Sequence, residues 1–149
     1  MAARTTPYGA FNFIVNIDGQ EAFGGFSDVS GLSTDITVAE YRNGNEKENH
    51  VRKVPGMHKV SDVTLKRGIV NSTDLWAWVN EVRHNGPSAK RTVVVTMLDE
   101  ARNPVMAWSL SRVFPMKYAG PTLAAKGGGD VAMEELVLSV EGLEFEQVA

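Results

Sequence analysis

Apolar residues at every second position open the chain, with Phe11, Phe13, Val15 and Ile17 on one side of "FNFIVNI", the pattern of a half-buried strand. Asp18-Gly19 follows, a pair that takes the positive backbone angles of a two-residue hairpin turn, so strands one and two are expected to fold back on each other. Gly24, Gly25 and Gly31 punctuate the second strand and point to a bulge or sharp bend. A third strand is expected from Thr34 to about Tyr41. There the alternation lapses. Between Tyr41 and Val60 the apolar side chains are Val51, Val54 and Met57, a polar excursion entered by one strand and left by another, with Pro55-Gly56 expected at its return turn.

Alternation resumes in "VSDVTLKRGIV", where Val63, Leu65 and Ile69 are in phase and Arg67 interrupts them. The period then changes. Leu75, Trp78, Val79 and Val82 form one apolar stripe at helical spacing, with Ser72 or Thr73 as cap, Asp74 at the positive end of the dipole and Asn85-Gly86-Pro87 as the stop, which predicts a helix over about 73–84. "RTVVVTML" is a strand dense in β-branched residues, and in "VMAWSLSRVF" Met106, Trp108, Leu110 and Phe114 are expected to share a face. The stretch "PMKYAGPTLAAKGGGD" reads as a loop, punctuated by Pro115, Gly120, Pro121 and three glycines. In the last segment Leu136, Leu138 and Val140 lie on one face but Leu143 and Phe145 on the other, so a bulge is expected near Gly142. Short strands, one helix and no βαβ rhythm give a mainly β fold, an antiparallel sandwich or barrel with the helix packed on it.

The length of 149 residues fits a single domain, 1–149, and neither a repeat nor a long linker divides it. No run of apolar residues approaches the roughly 20 needed for a transmembrane helix, so no membrane-spanning segment is expected. "MAARTTPYGA" lacks the features of a secretory leader, so synthesis in the cytoplasm without a signal peptide is expected. The chain has no cysteine, which excludes disulfides, thiolate metal sites and cysteine nucleophiles. Charge is split along the sequence: residues 40–70 carry a local balance of +3, residues 127–149 one of −6, an arrangement that suits head-to-tail attraction between copies.

Candidate chemistry is sparse. His50 and His58 share the polar excursion with Glu46 and Glu48, but their spacing matches no metal signature, and Ser27 and Ser30 lack the flanking glycines of a nucleophile elbow. Lys126 precedes Gly127-Gly128-Gly129, whereas in a phosphate-binding loop the lysine follows the glycines and opens a helix. Glu134 and Glu135 are neighbours on a strand, so they point to opposite faces and cannot act as a carboxylate pair. No catalytic group, metal site or cofactor is expected.

Taken in order, "YGAFNFIVNIDG", "FGGFSDVSGLS", "EYRNGN", "RKVPG", "LKRGI", "DLWAWV", "LDEARNPVMAW", "FPMKY" and "VEGLEF" resemble the inner tail-tube proteins of contractile phage tails and extracellular contractile injection systems, over about Tyr8 to Phe145. The resemblance implies a β-sandwich or half-barrel with one helix, assembled with identical subunits into hexameric rings that stack into a rigid tube within a contractile sheath. It also implies a sheath protein, baseplate and tube-terminating proteins as partners, and DNA or protein effectors as cargo in the lumen of a phage tail or injection particle. The alternative is a small-ligand-binding β-barrel protein.

Within that reading the polar excursion is a protruding hairpin arm, about 40–60. Ordering a segment with so little to bury costs ~1–2 kcal/mol of backbone entropy per residue, so a partner must offset it. The expected contact residues on a neighbouring subunit or ring are Arg42, Asn43, Gly44, Lys47, Arg52, Lys53, Pro55 and Gly56. Glu134, Glu135, Glu141, Glu144 and Glu146 are the possible acidic counterpart, and the rival for this segment is a disordered surface loop.

Overall fold

The computed structural model describes residues 6–18, 25–69, 73–127 and 131–148. Among them run β1 (Phe13–Ile17), β2 (Asp28–Ser30), β3 (Thr34–Tyr41), β4 (Arg52–Val60), β5 (Val63–Gly68), α1 (Asp74–Asn85) with a short 3-10 turn at Gly86–Ala89, β6 (Arg91–Leu98), β7 (Pro104–Ala119), β8 (Met133–Ser139) and β9 (Gly142–Gln147). Every strand pair is antiparallel.

A single long strand joins two half-sheets. The first part of β7 pairs with β6, which carries β1, and with β9, while its last part pairs with β8, which carries β5 and then β2. The transition falls at Ser111-Arg112, where Arg112 adopts a positive φ of 53° and the register to β6 shifts. The described end strands β1 and β2 do not pair with each other, so the sheet is a half-barrel and not a closed one. The ligand-binding barrel thereby loses its enclosed container. Asp18 has the expected positive φ, 54°, but Gly19 and most of the returning strand lie outside the described residues; β2, beyond them, pairs with β5.

The two half-sheets and the helix share one core. Val15 and Ile17 of β1, Val63 and Leu65 of β5, Val93 and Val95 of β6, Leu110 and Val113 of β7, and Leu136, Leu138 and Val140 close around Leu75 and Trp78 of α1. Each such side chain contributes ~1.5–3 kcal/mol by leaving water. Trp78 is fully buried, and its indole N–H donates to the Ala89 carbonyl at 3.0 Å, so the polar edge of the ring is satisfied where the 3-10 turn ends. Val79 and Val82 flank this contact, which completes the stripe expected for the helix.

Several expectations change. Met106, Trp108, Leu110 and Phe114 do not share a face throughout, because the twist at Arg112 shifts the phase and Val113 joins the core in place of Phe114. Pro115–Ala119, expected as loop, continues β7 against β8; the proline is accommodated because the register slips between Pro115 and Lys117. Arg67 does not interrupt its strand. It occupies the inward phase of β5, is 1% exposed, and displaces Ile69 as the next core-facing position, Ile69 being exposed. The bulge expected near Gly142 is not there: Phe114 opposite Ser139 and Ser111 opposite Gly142 keep one register along β7, and the ladder is only interrupted at Val140-Glu141, where the Glu141 N–H donates to the Ser111 carbonyl. Leu143 packs against the core, whereas Phe145 stacks on Trp108 and stays more than half exposed.

Candidate assembly surface

β3 and β4 form a two-stranded sheet of their own, standing off the body apart from a brief approach of β4 to β9. Every residue of β3 is exposed, and in β4 all but Val60. The root is fixed. The Ser61 N–H donates to the Ser33 carbonyl, the two serine hydroxyls hydrogen-bond at 2.7 Å, and Thr34 Oγ1 donates to the Lys59 carbonyl. Gly31 makes this root possible: its φ is +90°, and a Cβ there would overlap the Asp62 carbonyl oxygen.

Cross-strand partners lie on the same face of a hairpin. Ile36 is opposite His58 and Val38 opposite Pro55; on the other face Ala39 is opposite Val54 and Tyr41 opposite Arg52. Apolar side chains therefore stand on both faces, with Ile36, Val38, Val54 and Met57 between 50% and 78% exposed. A hairpin lying on its own body would keep one face polar and outward. Pro55-Gly56 does not make the return turn. It sits within β4 at the register shift between Ile36 and Val38, and a Cβ on Gly56 would come to 3.0 Å from the Thr37 carbonyl oxygen. A bulge at this point suits a proline that cannot donate to the ladder and a glycine that admits close backbone approach.

The return is made by residues 42–51, whose tip is organised mainly by Arg42. Its guanidinium donates to the carbonyls of Glu48 and Glu46 at 3.1 and 3.0 Å and to Asn49 Oδ1 at 3.2 Å. Tyr41 donates its hydroxyl to Asn43 Oδ1, the Glu46 N–H donates to the Asn43 carbonyl, and Arg52 pairs with Glu46 at 3.1 Å. Two of the expected contact cations, Arg42 and Arg52, thus already have partners inside the arm. Lys47 and Lys53 are exposed and form no ion pair among the described residues, while Gly44 lies in the open at the turn.

The acidic residues divide similarly. Glu134 is 6% exposed, and its carboxylate accepts from Arg67 Nε at 2.5 Å and from the Tyr118 hydroxyl at 2.6 Å. Arg67 and Glu134 face each other across β5 and β8, so they neutralise one another within the subunit. The hydrogen bond to Glu134, then burial, pushes the Tyr118 phenol above its ordinary pKa. Glu141 accepts from Lys90 at 2.9 Å and Arg112 at 3.4 Å, and the Lys90 contact holds its carboxyl below the usual range. Glu135 is half-buried, and Glu144 and Glu146 are exposed on β9. The pairing of Arg67 with Glu134 was hidden in the sequence because its partners are distant in the chain; the signal that points to it is a lone arginine in the inward phase of a strand, which requires a carboxylate beside it.

The profile of the T4-like virus tail tube protein gp19 family matches residues 9–144. The chain belongs to this family. It is accordingly a structural tube subunit of a contractile injection apparatus. Among solved structures it is similar to a chain of the PVC sheath-tube complex, an extracellular contractile injection system in the extended state. That match has a TM-score of 0.85 at 26% identity and covers 97% of this chain and 94% of that one. A chain from the anti-feeding prophage cap shares the fold at TM-score 0.86 and 22% identity, covering 99% and 96%. Hcp1 from Flavobacterium johnsoniae shares it more distantly, at TM-score 0.52 and 11% identity, covering 89% and 93%. No curated protein matches the chain. Among the described residues of this tail-tube chain, no helix is long and apolar enough to cross a membrane.

Proposed function

We propose that this chain forms a single tail-tube domain, 1–149, and that identical copies close into hexameric rings. The rings stack into a rigid tube whose channel passes DNA or protein effectors. Its neighbours in the particle are a sheath protein, baseplate proteins and tube-terminating proteins, a reading supported by the likeness to chains of the PVC sheath-tube complex, the anti-feeding prophage baseplate and its tube-terminating cap. The role is mechanical and not catalytic.

The observation that carries this reading is the β3–β4 arm, paired along its own strands on either side of one bulge, and apolar on both faces with little of the body against either. A two-stranded hairpin is marginal alone in water. Insertion between neighbouring subunits covers both faces at once, with Asn43, Gly44, Lys47, Lys53, Pro55 and Gly56 at the contact and Arg42 and Arg52 holding the tip in shape. Glu135, Glu141, Glu144 and Glu146 supply the acidic surface for the lysines. Open sheet edges meet those of the next copy, and a ring leaves no end exposed.

The test is to replace Val54 and Met57 together with serine. Both side chains are at least half exposed in the subunit, so the variant is expected to unfold within ~0.5 kcal/mol of the parent. Burial at a subunit contact contributes ~1.5–3 kcal/mol per side chain, so tube formation is expected to need on the order of a hundredfold more protein or more. Sedimentation and negative-stain imaging read this out. Tubes forming at the parental concentration would remove the arm from the interface. Lys47→Glu with Lys53→Glu, made in parallel, reports the charged share of the same contact.

A further inference from the structure

The sequence contains two Asn-Gly pairs, Asn43-Gly44 at the tip of the arm and Asn85-Gly86 at the end of α1. In such a pair the glycine amide nitrogen reaches the asparagine side-chain carbonyl carbon without steric hindrance, because no Cβ stands beside it. The reaction therefore depends on whether that amide is free and whether its surroundings yield.

At the two sites the structure gives opposite answers. The Gly86 N–H donates to the Val82 carbonyl as the helix cap, and the Asn85 carbonyl accepts from Ser88 Oγ at 3.0 Å, so the nitrogen is engaged and the backbone is held on both sides. Among the described residues the Gly44 N–H has no acceptor, and the space around its α-carbon is open. The Tyr41 hydroxyl donates to Asn43 Oδ1, which draws electrons from Cγ. Chemistry that is blocked at residue 85 is thus set up at residue 43.

We infer that Asn43-Gly44 is a site of spontaneous deamidation in the unassembled subunit. The Gly44 nitrogen bonds to Asn43 Cγ and gives up its proton, the Cγ–Nδ2 bond breaks, and ammonia leaves, closing a five-membered succinimide. Water then adds to either carbonyl. Opening at Cγ restores the normal backbone with aspartate at 43; opening at the main-chain carbon gives isoaspartate, with the chain rerouted through the side chain. Both products place a carboxylate near Glu46 and Glu48, and isoaspartate adds a methylene to the backbone between Tyr41 and Arg42 on one side and the Glu46 contact on the other. Isoaspartate thereby disturbs the tip that Arg42 organises, whereas aspartate changes its charge and leaves the path of the chain as it was. On the assembly reading above, a neighbour covers this tip, so the modification ages free subunits and spares those in a tube.

The experiment incubates unassembled protein in mildly alkaline buffer at physiological temperature and follows each Asn-Gly peptide by mass spectrometry, with isoaspartate separated chromatographically. Asn43 is expected to convert roughly tenfold faster than Asn85, the factor that one retained backbone hydrogen bond imposes on the attacking amide. Gly44→Ala is expected to suppress conversion at 43 and leave 85 as it was; Gly44 lacks a positive φ and a Cβ there meets nothing within 4 Å, so this variant folds as the parent does. Equal rates at the two asparagines, an unchanged Asn43, or indifference to Gly44→Ala would overturn the inference. Assembled tubes form a second arm: slower conversion at Asn43 there supports the shielding, whereas an unchanged rate removes the neighbour from the tip while the chemistry of the site stands.

Discussion

Glu134→Gln isolates the buried charge at the junction of β5, β7 and β8. The replacement keeps the shape of the side chain and an oxygen for Arg67 and Tyr118, yet it removes the negative charge that faces a guanidinium 1% exposed to solvent. Breaking a buried ion pair from one side typically costs ~3–5 kcal/mol, because the surviving charge stays desolvated without compensation. The burial of both partners places this pair within that range and not among surface pairs, which contribute about 0–1 kcal/mol. For a chain of this size such a loss lowers the melting temperature by roughly 6–20 °C. Urea and thermal unfolding of the subunit below its assembly concentration measure the change. Arg67→Met with Glu134→Leu removes both charges and fills similar volume, and is expected to recover most of the loss. A single Glu134→Gln variant within ~1 kcal/mol of the parent, or a double variant no better than the single, would show that water reaches the pair in solution and that it does not secure the β5–β8 register.

Two further outcomes follow from named contacts. Gly31→Ala forces a Cβ into the Asp62 carbonyl at φ +90° and is expected to destabilise the subunit by ~1–3 kcal/mol, read by urea unfolding; a parental midpoint would mean that the arm root is relaxed in solution. Tyr118 holds its proton more tightly folded than unfolded, so its contribution is present below pH ~10 and is lost as pH rises toward the raised folded value. Stability measured across that window is expected to fall more steeply in the parent than in Tyr118→Phe, and identical slopes would refute the hydrogen bond to Glu134.

How much was legible in the sequence depended on how local the cause was. The helical stripe brought Leu75 and Trp78 to the core because that pattern is a direct imprint of the face that leaves water, whereas β3 was placed at Thr34–Tyr41 although neither of its faces is covered in the subunit. Proline and glycine misled twice for one reason. Pro55-Gly56 and Pro115 looked like chain breaks, but in each case the partner strand absorbs them through a register shift, and nothing local to the proline records what its neighbour does. Charge was the least legible. Arg67 and Glu134 entered opposite regional balances although they cancel inside the core, and Arg42 and Arg52 looked outward although the tip engages them. The protrusion of the arm was readable because it rests on what is missing: a stretch with three apolar residues between Tyr41 and Val60 has little to bury in its own body.

That deficit separates two free energies within one chain. The half-barrel closes its core with side chains from both half-sheets and α1, and of β3 and β4 only Val60, at the root of the arm, packs against it. Substitutions in the body therefore act on unfolding and leave association to follow from it. On the proposed assembly, substitutions on the exposed faces of the arm act on association, because Ile36, Val38, Val54 and Met57 are wet in the subunit and would change environment only when a neighbour arrives. The root residues Gly31, Ser33 and Ser61 are where the two meet, since they belong to the folded body and aim the arm. A tube built as proposed would draw its rigidity from complete cores and its cohesion from hairpins left unsatisfied until they are shared.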